Sequence, residues 1–124
     1  TIRFLITMAI LNNWHTRQLD FVLAYPQADI ETPLYMELPA GIDFKINRNE
    51  YALKLLKNLY GQKQAGRVWN QHLVKGLQEM GFMQSKIDEC IFYRKGLIIM
   101  IYVDDTIICG KEKKEIDNFI QELE

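Results

Sequence analysis

The sequence has few cysteines, no long apolar run and no excess of charge of either sign. Cys90 and Cys109 are far apart and form no C-x-x-C motif, which favours buried thiols in a reducing compartment over a disulfide framework. His15 and His72 have no zinc-ligand spacing to them, so we expect no zinc site. No apolar run approaches the ~18 residues of a membrane span, and no signal peptide is visible. The 15 basic and 16 acidic residues neither indicate nor exclude a nucleic-acid partner.

The chain does contain enough apolar material for a packed core. Its 124 residues are 48% hydrophobic, which argues against disorder and indicates one domain or part of one. Thr1 already lies within a helical pattern, and residues 121–124 still belong to one. We therefore expect the chain to be cut from a longer protein at both ends.

The periodicity of apolar side chains predicts an alternation of helices and strands. Helical spacing predicts a largely buried helix over residues 1–13, a second over 67–80 ended by Gly81, and a third after Gly110. Strands are predicted over residues 17–23, 34–38, 51–55 and 90–93, and on both sides of Asp104-Asp105. Short turns between the late strands indicate an α+β fold, an antiparallel sheet with helices packed on one face.

The stretch Tyr102-Val103-Asp104-Asp105 is the most informative in the sequence. Seven apolar or aromatic residues, 97–103, lead into two adjacent carboxylates, and an apolar run then resumes. Burying unpaired carboxylates costs several kcal/mol, so we predict a tight turn that holds them at the rim of the sheet, where they can bind divalent metal. The alternative is a plain hairpin with a polar tip, for which Asp-Gly or Asn-Gly is the better turn.

A third carboxylate, Asp20, lies in the strand predicted over residues 17–23. A two-metal site needs carboxylates from separate elements converging on cations ~3.5–4 Å apart, and Mg²⁺ prefers such oxygen ligands. Asp20, Asp104 and Asp105 supply that set. Because successive strand residues point to opposite faces, Asp104 and Asp105 are expected to have different roles. The alternative for Asp20 is an ion pair with Arg17 or Lys54.

Four motifs, in order, carry a resemblance to a known family. They are Gln18-Leu19-Asp20 with Tyr25, the segment YMELPAG over residues 35–41, the segment LLKNLYGQKQAGRVW over residues 55–69, and Tyr102-Val103-Asp104-Asp105. Together they closely resemble the reverse transcriptase of copia-type LTR retrotransposons. The resemblance implies that residues 1–124 are a partial reverse transcriptase domain: the ferredoxin-like polymerase palm with part of the fingers.

The resemblance also implies an activity and its partners. It implies RNA- and DNA-templated DNA synthesis with two Mg²⁺ ions, for which Mn²⁺ can substitute, and it assigns Asp20 and Asp104 as the principal metal ligands and Asp105 as the third carboxylate. The implied partners are an RNA or DNA template-primer, deoxynucleoside triphosphates and the remainder of Pol: integrase, the rest of the fingers, thumb and RNase H. The implied location is a cytoplasmic virus-like particle, with the nucleus as the alternative.

Further residues match positions of the family that contact substrates. Tyr25 matches the aromatic residue that excludes ribonucleotides, and Gln64 lies in the loop that contacts the incoming nucleotide. The positions implied to contact primer or template are Tyr102, Val103, Lys63 and Arg67.

The sequence departs from the family pattern at two places near the nucleotide pocket. The family usually has L-Y-G-L-K-Q-A-P-R; here Gln62 replaces the second leucine and Gly66 replaces the proline. Residues 24–28 are AYPQA, where the family commonly has A-F-L-N-G. Two other functions remain open: a non-catalytic ferredoxin-like RNA-binding module, which would need exposed aromatics on the sheet face, and a catalytically dead retrotransposon remnant. We expect the isolated chain to be inactive, because the basic fingers residues and the thumb of the family are missing from it.

Overall fold

The computed structural model describes residues 1–123, so the last residue of the helical pattern, Glu124, lies outside the described residues. The chain divides into two compact units. Unit 1 comprises Thr1–Val22 and the chain from Gln71 onward, and unit 2 comprises Leu23–Asn70. The two units are described separately.

Most of the predicted elements are present. The helices are α1 (Ile2–Leu11), α2 (Ala24–Gln27), α3 (Ala65–Glu79) and α4 (Lys113–Leu123), and the strands are β1 (His15–Asp20), β2 (Tyr35–Met36), β3 (Leu53–Lys54), β4 (Met83–Gln84), β5 (Ile91–Arg94), β6 (Leu97–Tyr102) and β7 (Asp105–Gly110). No helix within residues 1–123 has the length and apolar character needed to cross a bilayer.

Two helices of unit 1 end where their sequences predict. Gly81, at φ 83°, follows α3; its N–H bonds to the Gln78 carbonyl and that of Phe82 to the Leu77 carbonyl. Asn13, at φ 53°, ends α1 with the same pattern of bonds. Both ends are Schellman motifs, in which a residue of left-handed conformation satisfies carbonyls that the helix leaves open.

Unit 1 is built on a five-stranded sheet of order β1-β7-β6-β5-β4, antiparallel at every neighbouring pair. Since β7 is antiparallel to both β1 and β6, these two strands are parallel to each other. The chain between them passes through α3, and α4 follows β7. This split β-α-β arrangement occurs in ferredoxin-like folds, and the predicted α+β class is confirmed.

The prediction that the helices pack on one face of the sheet is wrong. On one face the side chains of Leu97, Ile99, Ile101 and Ile108 form a core with residues of α3 and α4, including Leu77, Ile116 and Phe119. On the opposite face Leu5 and Ala9 of α1 pack with Cys109, Ile98, Met100 and Ile107. The reason lies in β6, which is apolar at every position before Tyr102 and therefore needs cover on both faces.

The two cysteines are free thiols in unit 1. Cys109 is buried under α1, and this burial raises its pKa. Cys90 is partly buried; its pKa is raised mainly by burial and to a smaller extent by the nearby charge of Asp88. Both thiols are therefore protonated at neutral pH and act as small apolar groups.

Unit 2 contains the predicted hairpin between residues 34–38 and 51–55. The strands β2 and β3 pair antiparallel, with Tyr35 opposite Lys54, and the Leu55 N–H donates to the Leu34 carbonyl at 2.9 Å. The Arg48 guanidinium closes the intervening loop by donating to the carbonyls of Leu38, Pro39 and Ile42. A short helix, α2, forms over residues 24–27, where the sequence predicts no helix. Pro26 is tolerated there because the first-turn N–H groups have no partner within a helix.

Candidate functional site

The two adjacent aspartates lie at the turn of the β6–β7 hairpin. Tyr102 pairs with Asp105, so Val103 and Asp104 alone form the loop. Val103 has φ 61° and the φ of Asp104 is not positive, which is the combination found in a type II′ turn. The predicted tight turn at the sheet rim is thus present. Glycine is the usual residue at the first position of this turn, and a β-branched residue there stores strain of about 1–3 kcal/mol.

Asp20 lies beside this turn, at the end of β1. Asp20 and Asp105 are direct partners in the antiparallel register of β1 and β7. The next pair along, Phe21 and Asp104, is hydrogen-bonded, since the Phe21 N–H donates to the Asp104 carbonyl at 3.2 Å. Hydrogen-bonded and non-hydrogen-bonded pairs alternate along an antiparallel ladder, so Asp20 and Asp105 form a non-hydrogen-bonded pair. In such pairs the facing side chains come closest, and directly opposite residues lie on the same face of the sheet.

The charges of these aspartates are not balanced by basic side chains. Asp20 and Asp105 are exposed and Asp104 is half-buried. In the described part of the chain none of the three forms an ion pair. The alternative pairing of Asp20 with Arg17 is therefore not formed; Arg17 points to the other face of β1. Lys54, the other alternative partner of Asp20, belongs to unit 2.

The donor chemistry fits a hard divalent cation. The facing carboxylates of Asp20 and Asp105 offer oxygen atoms only, the ligands that Mg²⁺ prefers. Among residues 1–123, however, no group of three or more histidine, cysteine, aspartate or glutamate side chains is gathered closely enough to hold a metal. The structure thus brings two of the three predicted carboxylates face to face, with Asp104 adjacent through its backbone.

Tyr25, the predicted ribonucleotide-excluding residue, lies in α2 of unit 2. Its ring is half-buried and stacks on the ring of Tyr60, with centroids 4.4 Å apart and planes inclined by 28°. The hydroxyl end of Tyr25 lies against Gly66: a Cβ built on that glycine would be 3.4 Å from Tyr25 Oη. Tyr60 was not among the predicted site residues. Its only signal in the sequence was its position within the LYG motif.

The remaining predicted contact residues fall in both units. In unit 1, Tyr102 is exposed at the end of β6, beside Val103. In unit 2, Lys63 is exposed, and the carbonyl of Gln64 accepts a bond from the Val68 N–H in the first turn of α3. Arg67 forms an ion pair with Glu31. Substrate contacts by these residues stay predictions.

Comparison with known proteins identifies the family. The model of the family described as "Reverse transcriptase (RNA-dependent DNA polymerase)" matches residues 1–124. The Pol polyprotein of transposon RE1 from Arabidopsis thaliana is 35% identical over 99% of this chain, and that of transposon TNT 1-94 from Nicotiana tabacum is 30% identical over 91%. The Ty1-DR4 Gag-Pol polyprotein of Saccharomyces cerevisiae is 30% identical over 95%.

These matches cover only a small part of each relative. The chain spans 9% of the length of the RE1 and TNT 1-94 polyproteins and 7% of the Ty1-DR4 polyprotein. No solved structure matches the chain. The resemblance seen in the sequence is confirmed, and the chain belongs to the reverse transcriptase family, as a domain fragment of the kind found in copia-type retrotransposon Pol polyproteins.

Proposed function

We propose that this chain carries the catalytic carboxylates of an RNA-directed DNA polymerase, which joins a deoxynucleoside triphosphate to the 3′-hydroxyl of a primer paired with an RNA or DNA template. One observation carries the proposal: Asp20 faces Asp105 across two strands, and Asp104 lies on the turn beside them. Carboxylates gathered at one end of neighbouring strands, with no ion-pair partner among the described residues, are an arrangement that suits nucleotidyl transfer with two cations.

The architecture of unit 1 supports assignment as the polymerase palm. Parallel strands β1 and β6 flank β7, and the helices α3 and α4 cover one face of this split β-α-β unit. Asp20 lies at the end of β1, Asp105 at the start of β7 and Asp104 in the turn between β6 and β7, so the sheet positions all three carboxylates. We propose that residues 1–124 comprise this palm with part of the fingers.

The proposed metal ligands are Asp20, Asp104 and Asp105, and two Mg²⁺ ions, or Mn²⁺ in their place, supply the charge that offsets the carboxylates and the triphosphate. The register of β1 and β7 fixes the backbones of Asp20 and Asp105, and the Phe21–Asp104 hydrogen bond fixes that of Asp104. Such positioning, together with electrostatic stabilisation, provides most of the catalysis in phosphoryl transfer.

Other residues are proposed to hold the substrates. Tyr25 excludes the ribose 2′-hydroxyl and Gln64 contacts the incoming nucleotide. The proposed contacts to primer and template are Tyr102, Val103, Lys63 and Arg67. The remainder of Pol supplies the rest of the grip on nucleic acid, and the proposed location is a cytoplasmic virus-like particle.

The alternative of a non-catalytic RNA-binding module is disfavoured by the packing of α1. Such modules present aromatic side chains on an open sheet face. Tyr93 and Tyr102 are exposed on one face of the sheet, but α1 packs on that same face against Ile98, Met100 and Ile107. The helices α3 and α4 cover the other face, so neither face is an open platform.

Primer extension by the complete Pol enzyme carrying this chain tests the proposal. We expect Asp20→Asn, Asp104→Asn and Asp105→Asn each to lower the extension rate by roughly 10²–10³-fold, the range for removing one electrostatic stabiliser of a transition state. Asp43→Asn, in an exposed loop, is the matched control and should leave the rate unchanged. A wild-type enzyme that folds but extends no primer would indicate a dead remnant.

A further inference from the structure

We infer that Tyr60 is a positioning residue for deoxynucleotide selection: it holds the ring of Tyr25 in the orientation that excludes ribonucleotides. This inference rests on the proposed function, in which Tyr25 faces the sugar of the incoming nucleotide. It adds a residue to which neither the sequence motifs nor the comparisons give a role.

The two rings are in stacking contact. Their centroids are 4.4 Å apart and their planes differ by 28°, within the range of attractive aromatic pairs. Tyr25 is only half-buried, so the surrounding core does not by itself fix the ring. The ring of Tyr60 covers one side of it and limits how far it can turn.

The segment that carries Tyr60 is fastened to the segment that carries Tyr25. The fully buried Asn58 side chain donates from Nδ2 to the carbonyls of Ala28 and Asp29, at 3.0 and 3.2 Å. Asp29 also pairs with Lys57 through a backbone bridge and an ion pair. These contacts hold residues 28–29, just after α2, against residues 57–58, just before Tyr60. The stack is therefore set by the backbone as well as by the rings.

The hydroxyl end of the ring lies near Gly66, in the first turn of α3. A Cβ added to this glycine would be in ordinary van der Waals contact with Tyr25, 3.4 Å from Oη and 3.9 Å from Cζ. Tyr25 is thus bounded by an aromatic face on one side and by a helix backbone at its tip. Since Gly66 presents no side chain, the ring of Tyr60 is the larger restraint.

The backbone directly before α2 is strained at Leu23. Leu23 is an exposed leucine at φ 54°, ψ 46°, the left-handed conformation that leucine rarely adopts. It directly precedes Ala24, which is fully buried, and Tyr25. Strained residues persist only where the surrounding structure over-determines them, so the backbone that leads into Tyr25 is held in one conformation.

The test measures kcat/KM for dCTP and for CTP in the complete Pol enzyme, and takes their ratio. We expect Tyr60→Ala to lower the dCTP-to-CTP ratio about tenfold, mainly by improving the use of CTP. Tyr60→Phe keeps a stacking ring and should stay within about twofold of wild type. Tyr60→Leu, which keeps bulk but not the ring, replaces Tyr60→Ala if that variant does not fold, with the same expected loss of selection.

A double variant separates this inference from the proposed role of Tyr25. Tyr25→Val alone should relax selection, and adding Tyr60→Ala to it should change the ratio no further. If Tyr25→Val leaves the ratio unchanged, the proposed role of Tyr25 fails. If Tyr25→Val relaxes selection while Tyr60→Ala or Tyr60→Leu lowers the use of both nucleotides equally, Tyr60 is only structural and the inference is overturned. A further loss in the double variant would also overturn it, since Tyr60 would then act without Tyr25.

Discussion

Asp20 and Asp105 face each other across β1 and β7 as a non-hydrogen-bonded pair, and among the residues that the structure describes no basic side chain is paired to either. Like charges directly opposite on neighbouring strands destabilise a sheet. A pair that weakens the fold by itself is explained if the charges serve a cation, and this relation gives the first prediction.

Asp105→Asn should stabilise the metal-free protein. Removing one of two facing negative charges should raise the free energy of unfolding by about 0.2–1 kcal/mol. The measurement is denaturant unfolding in the presence of a chelator. Asp117→Asn, on α4, removes a negative charge elsewhere in unit 1 and is the control. A decrease in stability for Asp105→Asn would show that Asp105 makes a stabilising contact that outweighs the repulsion.

Thr106→Val should also stabilise the protein. Thr106 is buried beside the β6–β7 turn, and within residues 1–123 its hydroxyl oxygen has no hydrogen-bond partner. A buried polar group without a partner costs about 1–3 kcal/mol, and valine replaces the hydroxyl with a methyl group of similar shape. Thr106→Ser, which keeps the hydroxyl and loses the methyl group, should be less stable than wild type. Equal thermal midpoints for Thr106→Val and Thr106→Ser would refute the assignment.

The two glycines near the end of α3 should respond to alanine in opposite directions. Gly76 lies within the helix, and a Cβ there would meet nothing within 4 Å, so Gly76→Ala should gain about 0.5–1 kcal/mol. Gly81 is at φ 83° in the Schellman motif, so Gly81→Ala should lose about 1–2 kcal/mol from left-handed strain. Thermal unfolding of the two variants and of the wild type measures both changes in stability. A stabilising Gly81→Ala would mean that the helix does not end as described.

Val103→Gly should relieve the strain of the β6–β7 turn. Valine at φ 61° is disfavoured, whereas glycine adopts this conformation readily, so we expect stability to rise by about 1 kcal/mol. Val103→Ala keeps the Cβ that causes the strain and should give a smaller gain. If Val103→Gly instead destabilises the protein, the packing of the Val103 side chain outweighs its backbone strain.

The position of the proposed catalytic carboxylates at a turn could be predicted from the sequence because burial energetics leave few choices. Two adjacent aspartates inside a long apolar run require a turn, and the β6–β7 hairpin provides it at Val103-Asp104. The prediction that all helices pack on one face is wrong for α1, although the unbroken apolar run of β6 indicates a strand buried on both faces. Short turns between strands do not indicate which face a preceding helix covers.

Contacts between distant loops could not be predicted. The stack of Tyr25 on Tyr60 and the bonds of Asn58 to Ala28 and Asp29 join segments about thirty residues apart. The periodicity of apolar residues predicts which face of a helix or strand is buried, and loops have no such periodicity. The precise pairing of carboxylates was likewise out of reach, because a shift of one residue in the β1–β7 register exchanges the partner of Asp20.

The central claim is that Asp20, Asp104 and Asp105 hold two divalent cations for nucleotidyl transfer. The most direct measurement is a titration of Mn²⁺ into the complete Pol enzyme with template-primer and dCTP, monitored by electron paramagnetic resonance. The account predicts two bound Mn²⁺ ions with the spin coupling of cations ~3.5–4 Å apart, and loss of that coupling in Asp20→Asn and in Asp105→Asn. Two uncoupled ions, or coupled ions that persist in both variants, would contradict it.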